Sequence, residues 1–409
     1  MRYSPTTELT PITCAGCGVL CDDVTVQRAG DGVRLQPPCG LGAEWFSERV
    51  RWAANTPAAM IHGQPASIEA ALTRAAELLR GARRPLLHGF AGATVEDARA
   101  AIALADRLGA LVATDGVDGA WPGAPAVPLR GASTATLGEI RDRSRLVVIW
   151  REDPATTHPR LLDRLGFGAD GSRSRLGERT LVVVDDRDTA TARRADLQLH
   201  WTRERDVEAL TGLHVLQRGL ALPASELEAD LGRLLERIDA VPHAAFVHGP
   251  GLTGGAGGQR RALALHELVR ELCVGRHVVT LALPTAAGIT GAQDVLAWQT
   301  GYAQNIDLAS GHPELVTATA PLATSEGVDV SLCIEGAVDE PPDSVTGIAL
   351  CSRPVGGVAV SIRTAAAGVE AAGTLHRLDG VPLALQAPLP GDAPTAATLL
   401  ARLLAEIAP

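Results

Sequence analysis

Residues 146–150 read LVVIW and residues 181–185 read LVVVD, and these two apolar runs decide the fold class. Neither run alternates with polar residues, which is typical of strands in a parallel sheet that is covered on both faces. The same kind of run returns as AAFVH at residues 244–248 and as HVVTLAL at residues 277–283. We therefore predict a parallel sheet that is built from these four segments.

Helix and strand patterns alternate on both sides of this block. Residues 67–79, SIEAALTRAAELL, have an amphipathic helical pattern that starts at Ser67, a favourable N-cap residue. Successive strand–helix units with right-handed crossovers build doubly wound, Rossmann-like sheets. The sequence thus predicts the α/β class with two such lobes. The other predicted elements are a helix at 94–108 and strands at 85–89, 109–112, 328–334, 347–350 and 357–360.

Length and charge indicate how many lobes the chain can form and which partners it can bind. At 409 residues, the chain is long enough for two or three lobes. Its net charge of −10 argues against nucleic-acid binding, which favours a basic face. No apolar run reaches the roughly 18 residues that span a membrane, and we find no secretory signal pattern. We expect a cytoplasmic protein that binds neither nucleic acid nor a membrane.

Four of the seven cysteines lie near the N-terminus. Cys14, Cys17, Cys21 and Cys39 are separated by two, three and seventeen residues, a spacing that lets thiolates converge on one metal centre. Three interpretations stay open: a 4Fe–4S cluster, a structural zinc knuckle, or reduced thiols that are buried like small hydrophobic side chains. The next cysteine along the chain is Cys273, so no residue between 40 and 272 can supply a thiolate.

Two other features are weaker candidates for a site. Residues 249–258, GPGLTGGAGG, follow a predicted strand but lack the spacing of a phosphate-binding or dinucleotide-binding loop. A strand–helix turn is the favoured interpretation. His158, in the sequence THPR, is interpreted as a turn or interface histidine in preference to a cofactor contact.

Five collinear motifs resemble the B subunit of formylmethanofuran dehydrogenase, a branch of the molybdopterin oxidoreductases, and most of all the B subunit of the bacterial formyltransferase/hydrolase complex. They are CAGCGVLCDD, LVVIWREDPATTHPR, RTLVVVDDRDTATARRADLQL, ITGAQDVLAWQTGY and GVEAAGTLHRLDGVPL. The last motif is the most specific, because no generic structural reason accounts for it. Together the five extend over nearly the whole chain.

The resemblance implies a fold as well as a family. The implied fold has a small N-terminal cysteine lobe of the iron–sulfur type and two interleaved Rossmann-like lobes. The C-terminal β-barrel domain of larger relatives is missing. The implied segments are residues 1–55 with a return at 366–382 for the cysteine lobe, 56–140 plus 284–365 for one α/β lobe, 141–283 for the other, and 383–409 for a C-terminal helix and tail.

The chain departs from the family where active members bind molybdenum or tungsten. The resemblance places their metal-binding Cys-His pair on Gly119 and Ala120, and a shift of one residue brings Asp118 onto the cysteine position. Arg151 stands where the family has a glycine that lets the backbone approach a pterin dinucleotide, and Asp186 replaces a proline. These changes remove a soft thiolate ligand and add bulk and charge. They predict that the Mo/W-pterin site is absent.

Two functions follow from the resemblance. In the first, the chain is a non-catalytic scaffold in a formyltransferase/hydrolase complex of one-carbon metabolism, in the oxidation of formaldehyde to formate during methylotrophy. Its formyltransferase and hydrolase partners would move a formyl group from a tetrahydromethanopterin-type to a methanofuran-type carrier and release formate. In the second, the chain is an active formate/CO2 oxidoreductase with a Mo/W-bis-pterin centre on Asp118. We expect the first, with no catalytic residue and with Cys14, Cys17, Cys21 and Cys39 as the metal ligands.

Overall fold

The computed structural model describes residues 11–29, 32–114, 126–168, 176–222, 225–316, 327–336, 342–389 and 391–407. These residues form a mixed α/β protein, which confirms the predicted fold class. The chain divides into two compact units, Met1–Ala120 together with Ala286–Pro409, and Trp121–Thr285. We call the first the split unit and the second the inserted unit.

The described elements are as follows. The strands are β1 (Thr25–Ala29), β2 (Gly32–Gln36), β3 (Ala59–Ile61), β4 (Gln64–Pro65), β5 (Pro85–Gly89), β6 (Leu111–Ala113), β7 (Leu146–Trp150), β8 (Thr180–Val184), β9 (Leu197–Leu199), β10 (His243–His248), β11 (His277–Ala282), β12 (Ile306–Asp307), β13 (Glu314–Leu315), β14 (Val330–Ile334), β15 (Thr346–Cys351), β16 (Val360–Arg363), β17 (Gly373–His376) and β18 (Pro382–Leu385). The helices are α1 (Gly40–Asn55), α2 (Ile68–Gly81), α3 (Val95–Leu108), α4 (Ala126–Arg130), α5 (Leu137–Arg143), α6 (Pro154–Thr157), α7 (Leu161–Arg164), α8 (Asp206–Gln217), α9 (Glu228–Asp239), α10 (Pro250–Thr253), α11 (Gly258–Leu272), α12 (Ile289–Thr300) and α13 (Ala396–Ile407).

The inserted unit is built on a parallel sheet with the order β11-β10-β7-β8-β9. Strand β7, the LVVIW run, lies at its centre and is buried along its whole length. Chain order runs outward from β7 through β8 to β9 and then returns to β10 on the other side. Strand order therefore reverses between β7 and β10, and the crevice at the carboxyl ends of two such strands is where ligands bind in open α/β sheets.

The split unit has a nine-stranded sheet among its described residues, with the order β13-β12-β6-β5-β14-β15-β16-β3-β4. Strands β6, β5, β14, β15 and β16 are parallel, and short antiparallel strands extend both edges. Leucine, isoleucine and alanine side chains from the sheet and from α2, α3, α12 and α13 form its core. Its strand order reverses between β5 and β14, which gives this sheet a second crevice of the same kind.

The segment that contains Cys14, Cys17, Cys21 and Cys39, which we call the cysteine segment, lies in the split unit and packs against a late part of the chain. Strands β1 and β2 pair antiparallel, and α1 starts directly after Cys39. Ala15 and Leu20 share a buried apolar cluster with Leu375 and Leu385 of the β17–β18 pair. The Leu378 N–H also donates to the Gly18 carbonyl at 2.9 Å. The separate status of a cysteine lobe and the missing β-barrel stay predictions.

Several predicted boundaries differ from the structure. Ser67 caps α2 as predicted, since its side chain accepts the Ala70 N–H. The strand predicted at 109–112 begins only at Leu111, because Gly109 is the left-handed C-cap of α3 with φ +60°. The strand predicted at 357–360 lies at Val360–Arg363. No helix among the described residues is both long and apolar enough to cross a membrane.

Candidate functional site

The first candidate site lies at the carboxyl edge of the inserted unit, directly after β7. Arg151 is buried at 3% exposure and has φ +60°, a backbone region that favours glycine. Its Nε is 3.0 Å from Asp206 Oδ2, and its Nη2 is 3.0 Å from Asp206 Oδ1. Asp206, the first residue of α8, is fully buried. Two buried and opposite charges thus meet where the resemblance places a glycine.

Further hydrogen bonds complete this ion pair. The indole Nε1 atoms of Trp150 and Trp201 each lie 3.0 Å from Asp206 Oδ1. Arg151 Nη2 donates to the Trp201 carbonyl at 2.6 Å, and Nη1 donates to Asp186 Oδ1 at 2.9 Å. A buried ion pair is stable only when such additional bonds compensate for lost hydration. The Arg151 side chain is therefore fixed on several sides.

Glu152 lies in the crevice between β7 and β10. Its Oε1 accepts the Gly251 N–H at 2.6 Å, and the side chain is largely buried. A Cβ at Gly249 would lie 2.8 Å from Glu152 Oε1, and a Cβ at Gly251 would lie 1.8 Å from the Arg151 carbonyl oxygen. The first glycines of the run at 249–258 are therefore required by close backbone packing. This agrees with the interpretation of the run as a strand–helix turn.

The buried position of Glu152 changes its acidity. Burial raises the pKa of this carboxyl to about 7, against the opposing effects of the Gly251 N–H and the Arg187 charge. Arg187 itself is paired with Asp185 at 2.7 Å and donates to the Arg151 carbonyl. The crevice at the strand-order reversal thus contains charged groups of the chain itself, and a carboxylate already accepts a backbone amide there.

The second candidate site is the cysteine segment. The Cys14 N–H donates to the Cys21 carbonyl at 2.9 Å, and the Gly16 N–H points at Cys14 Sγ at 3.5 Å. A Cβ at Gly42 would lie 3.2 Å from Cys14 Sγ and 3.7 Å from Cys39 Sγ. The absence of a side chain at Gly42 therefore allows the Cys14 thiol to approach α1 closely, whereas the distance to Cys39 is an ordinary van der Waals contact.

The four thiols are close enough to affect one another. Burial raises the pKa of the Cys14 thiol to about 12, and the charges of Cys17, Cys21 and Cys39 act in the same direction. Four thiolates are a ligand set that an iron–sulfur cluster or a zinc ion uses, and a backbone N–H can donate a hydrogen bond to a ligating sulfur. Within the described residues, however, no group of three or more His, Cys, Asp or Glu side chains is arranged to hold a metal ion. The assignment of these four cysteines as metal ligands stays a prediction.

Arg49 and Glu335 lie near the cysteines in the split unit and were missed by sequence reasoning. The Arg49 guanidinium stacks over Trp45 at 4.4 Å, and burial lowers its pKa to about 10 against the charges of Glu335 and Glu48. Glu335 follows β14 with φ +52° and accepts the Ser352 N–H at 3.1 Å and the Thr364 hydroxyl. Burial raises the Glu335 pKa to about 7. An isolated arginine on a helix and a glutamate after a strand carry no sequence signal for this contact.

The remaining predicted residues have these positions. His158 is buried after α6, its Nδ1 lies 2.9 Å from Thr157 Oγ1, and burial lowers its pKa to about 4. The predicted Mo/W-ligand positions Asp118, Gly119 and Ala120 lie outside the described residues.

The close approach at Gly251 gives a stability prediction. Gly251→Ala should destabilise the protein by roughly 3 kcal/mol, because the new methyl group overlaps the Arg151 carbonyl and the backbone must move. Gly232→Ala is the matched control, since a Cβ there meets nothing within 4 Å on α9. It should stabilise the protein by about 1 kcal/mol through helix propensity. Urea unfolding of both variants measures the difference, and equal stabilities would contradict the packing.

The raised pKa of Glu152 gives a pH prediction. A carboxyl whose pKa rises to about 7 on folding binds more protons in the folded state, so its contribution to stability falls as pH rises from about 4.5 through 7. Glu152→Gln keeps an acceptor oxygen for the Gly251 N–H and should remove a loss on the order of 3 kcal/mol. Urea midpoints at pH 5 and pH 8 provide the measurement. The exposed Glu226→Gln control should keep the parent slope, and an unchanged slope in Glu152→Gln would refute the assignment.

Comparison with known proteins identifies relatives of the whole chain, although no family model matches it. The B subunit of tungsten-containing formylmethanofuran dehydrogenase 2 from Methanocaldococcus jannaschii is 27% identical over 403 residues, which cover 92% of each chain. The protein of the same description from Methanococcus maripaludis is 26% identical over 408 residues, with 92% of each chain covered. The B subunit of the formyltransferase/hydrolase complex Fhc from Methylorubrum extorquens is 26% identical over 258 residues, which cover 63% of this chain and 68% of the relative.

A solved structure shares the fold. It is the formyltransferase/hydrolase complex FhcABCD from Methylorubrum extorquens in complex with methylofuran. One of its chains matches with a TM-score of 0.71 and 23% identity, over 86% of this chain and 98% of that chain. The predicted resemblance is therefore confirmed: the chain is similar, over nearly its whole length, to the B subunit of formylmethanofuran dehydrogenase, and over much of it to the B subunit of Fhc.

Proposed function

We propose that the chain is the B subunit of a formylmethanofuran dehydrogenase-like formyltransferase/hydrolase complex in one-carbon metabolism. In this proposal it is a cytoplasmic scaffold that holds the formyltransferase and hydrolase subunits together and does not itself carry out a redox step. The similarity to B subunits from two kinds of complex supports its place in such an assembly. Holding two active sites in one assembly raises the effective concentration of the carrier that passes between them.

The buried ion pair between Arg151 and Asp206 is the observation that carries the scaffold proposal. Arg151 stands where active relatives are expected to have the glycine that admits a pterin dinucleotide, and its side chain is bonded to Asp206, Asp186 and Trp201. Breaking a buried pair by removing one partner costs about 3–5 kcal/mol, because the other charge is left uncompensated. A dinucleotide would therefore have to displace a side chain that the fold strongly retains.

Electrostatics support the same conclusion. The Glu152 carboxylate accepts the Gly251 N–H in the crevice where a pyrophosphate would need backbone donors. The Gly251 N–H is already bonded and is not available to a pyrophosphate, and above a pH of about 7 the ionised Glu152 would also repel a second anion at this position. The side chains of this crevice therefore do not suit a Mo/W-pterin dinucleotide.

The cysteine segment has a structural role in this proposal. Cys14, Cys17, Cys21 and Cys39 would hold a 4Fe–4S cluster, with zinc as the alternative. A metal centre bound by four thiolates joins its ligand segments and can contribute much of the folding free energy of a small lobe. Such a centre would stabilise the part of the split unit in which Ala15 and Leu20 pack against Leu375 and Leu385.

An active oxidoreductase is the second candidate. Its support is the longer match to the two tungsten-containing relatives, 92% of this chain against 63% for the Fhc relative. In that case the Mo/W-bis-pterin centre would take Asp118 as its protein ligand, and the cysteine-bound cluster would carry electrons. Oxygen ligands suit harder metal ions better than thiolates do, which makes an aspartate chemically acceptable to an oxidised metal.

Replacing one cysteine separates the two functions. Under the scaffold proposal, Cys14→Ser should lower the yield of the assembled complex while each complex that does assemble keeps its rate of formyl transfer and hydrolysis. Cys273→Ser is the matched control, because Cys273 lies in the inserted unit, outside the cysteine segment. Yield is measured by size-exclusion chromatography of the co-expressed subunits, and turnover is measured per assembled complex. Lost turnover in a fully assembled Cys14→Ser complex would favour the electron-transfer role.

A further inference from the structure

Trp298 is a large aromatic side chain that the fold leaves open to solvent. It lies on α12 with 63% of its surface exposed, and among the described residues no other Trp, Tyr or Phe side chain is so exposed. The same helix buries Ile289, Ala292, Val295 and Leu296 on its other face. In the described part of the split unit, most of the Trp298 side chain has no packing partner.

A histidine side chain contacts the Trp298 ring. Its centroid lies 5.6 Å from that of His376 on β17. The His376 Nδ1 lies 2.6 Å from Asp294 Oδ2, one helical turn before Trp298. The His376 side chain is nearly buried, whereas Asp294 keeps 37% of its side chain exposed. A tryptophan side chain has only two rotatable torsions and offers a large contact area, so it loses little conformational entropy on binding and is enriched in binding hot spots.

Two distant motifs meet at this patch. Asp294 and Trp298 belong to ITGAQDVLAWQTGY, and His376 belongs to GVEAAGTLHRLDGVPL. The second motif is the most specific of the five, because no generic structural reason accounts for its sequence. Gly291 lies beside this contact, since a Cβ there would be at an ordinary van der Waals distance of 3.5 Å from the His376 backbone nitrogen. The contact joins an exposed tryptophan to a partly exposed carboxylate on one surface.

The charge of the patch selects the kind of partner. Asp294 presents a carboxylate one turn from an exposed indole face, and the whole chain carries a net charge of −10. The adjacent Arg377 is already paired with both oxygens of Asp379 at 2.7 and 2.8 Å, so its charge is balanced. A carboxylate beside an aromatic face suits a guanidinium, which can pair with one and stack on the other.

We propose that Trp298, Asp294 and His376 form the docking surface for an arginine-bearing face of another subunit in the complex. This inference rests on the proposed function, because it names the surface by which the chain would hold a formyltransferase or hydrolase subunit. The partner's arginine stacks on the Trp298 indole and pairs with Asp294, and His376 positions both groups. Trp298 carries most of the affinity, and Asp294 carries most of its salt dependence.

The test uses the full chain and the purified formyltransferase and hydrolase subunits of the same complex. Trp298→Ala should weaken association at least about tenfold, as expected for a central aromatic contact. Trp298→Phe should lose less affinity than Trp298→Ala, because it keeps an aromatic ring against His376. Asp294→Asn should weaken binding and flatten its dependence on salt concentration. Val274→Ala is the matched control, since Val274 is 74% exposed but lies in the inserted unit. It should leave the affinity unchanged.

The outcomes distinguish this inference from the function on which it rests. If the parent chain binds the two partners and Trp298→Ala binds them equally well, the docking surface is wrong and the proposed function stands. If the parent chain binds neither of them, the function and the surface both fail. If Trp298→Ala instead abolishes self-association of the isolated chain and leaves the affinity for both partners intact, the patch contacts a second copy and the proposal is overturned. Unfolding curves of Trp298→Ala and Val274→Ala should match the parent curve, because both side chains are exposed.

Discussion

The ion pair between Arg151 and Asp206 organises the carboxyl edge of the inserted unit. Both charges are buried, and neither would be stable there without the other and without the indole donors of Trp150 and Trp201. The pair joins the end of β7 to the start of α8, and the Arg151 carbonyl packs against the turn that follows β10. Removing either charge would therefore disturb several elements at once. At the strand-order reversal between β7 and β10, a binding position in other open sheets, Gly251 packs against the Arg151 carbonyl and its N–H donates to Glu152 Oε1.

The positive φ of Arg151 fits a position at which glycine would be favoured. A side chain in the left-handed region costs free energy that the surrounding contacts must offset. Here the hydrogen bonds from the guanidinium to Asp206, Asp186 and the Trp201 carbonyl offset this free energy. The cysteine segment has a different character, because its thiols are gathered around Cys14 and its packing partners come from the β17–β18 pair. The first candidate site thus bears on cofactor binding, and the second bears on stability.

The sequence predicted the parts of the fold that depend on local patterns. LVVIW is a buried central strand and Ser67 caps α2, and both were predictable because continuous apolar runs and capping residues act over a few positions. The edge strands β12 and β13 have two residues each and leave no periodic pattern. Asp206 and Glu335 could not be assigned to a site either, since their partners are distant in sequence and no local spacing encodes the contact. The resemblance singled out Arg151 from the sequence, but the carboxylate of Asp206 that balances its charge was not predicted.

The central claim for this protein is that it carries no Mo/W-pterin centre. The most direct measurement is the content of iron, zinc, molybdenum and tungsten in the purified native complex, together with extraction of pterin. We predict iron or zinc in proportion to this chain and neither molybdenum, tungsten nor pterin. Stoichiometric molybdenum or tungsten with pterin on this chain would contradict the claim and would make Asp118 the leading metal ligand.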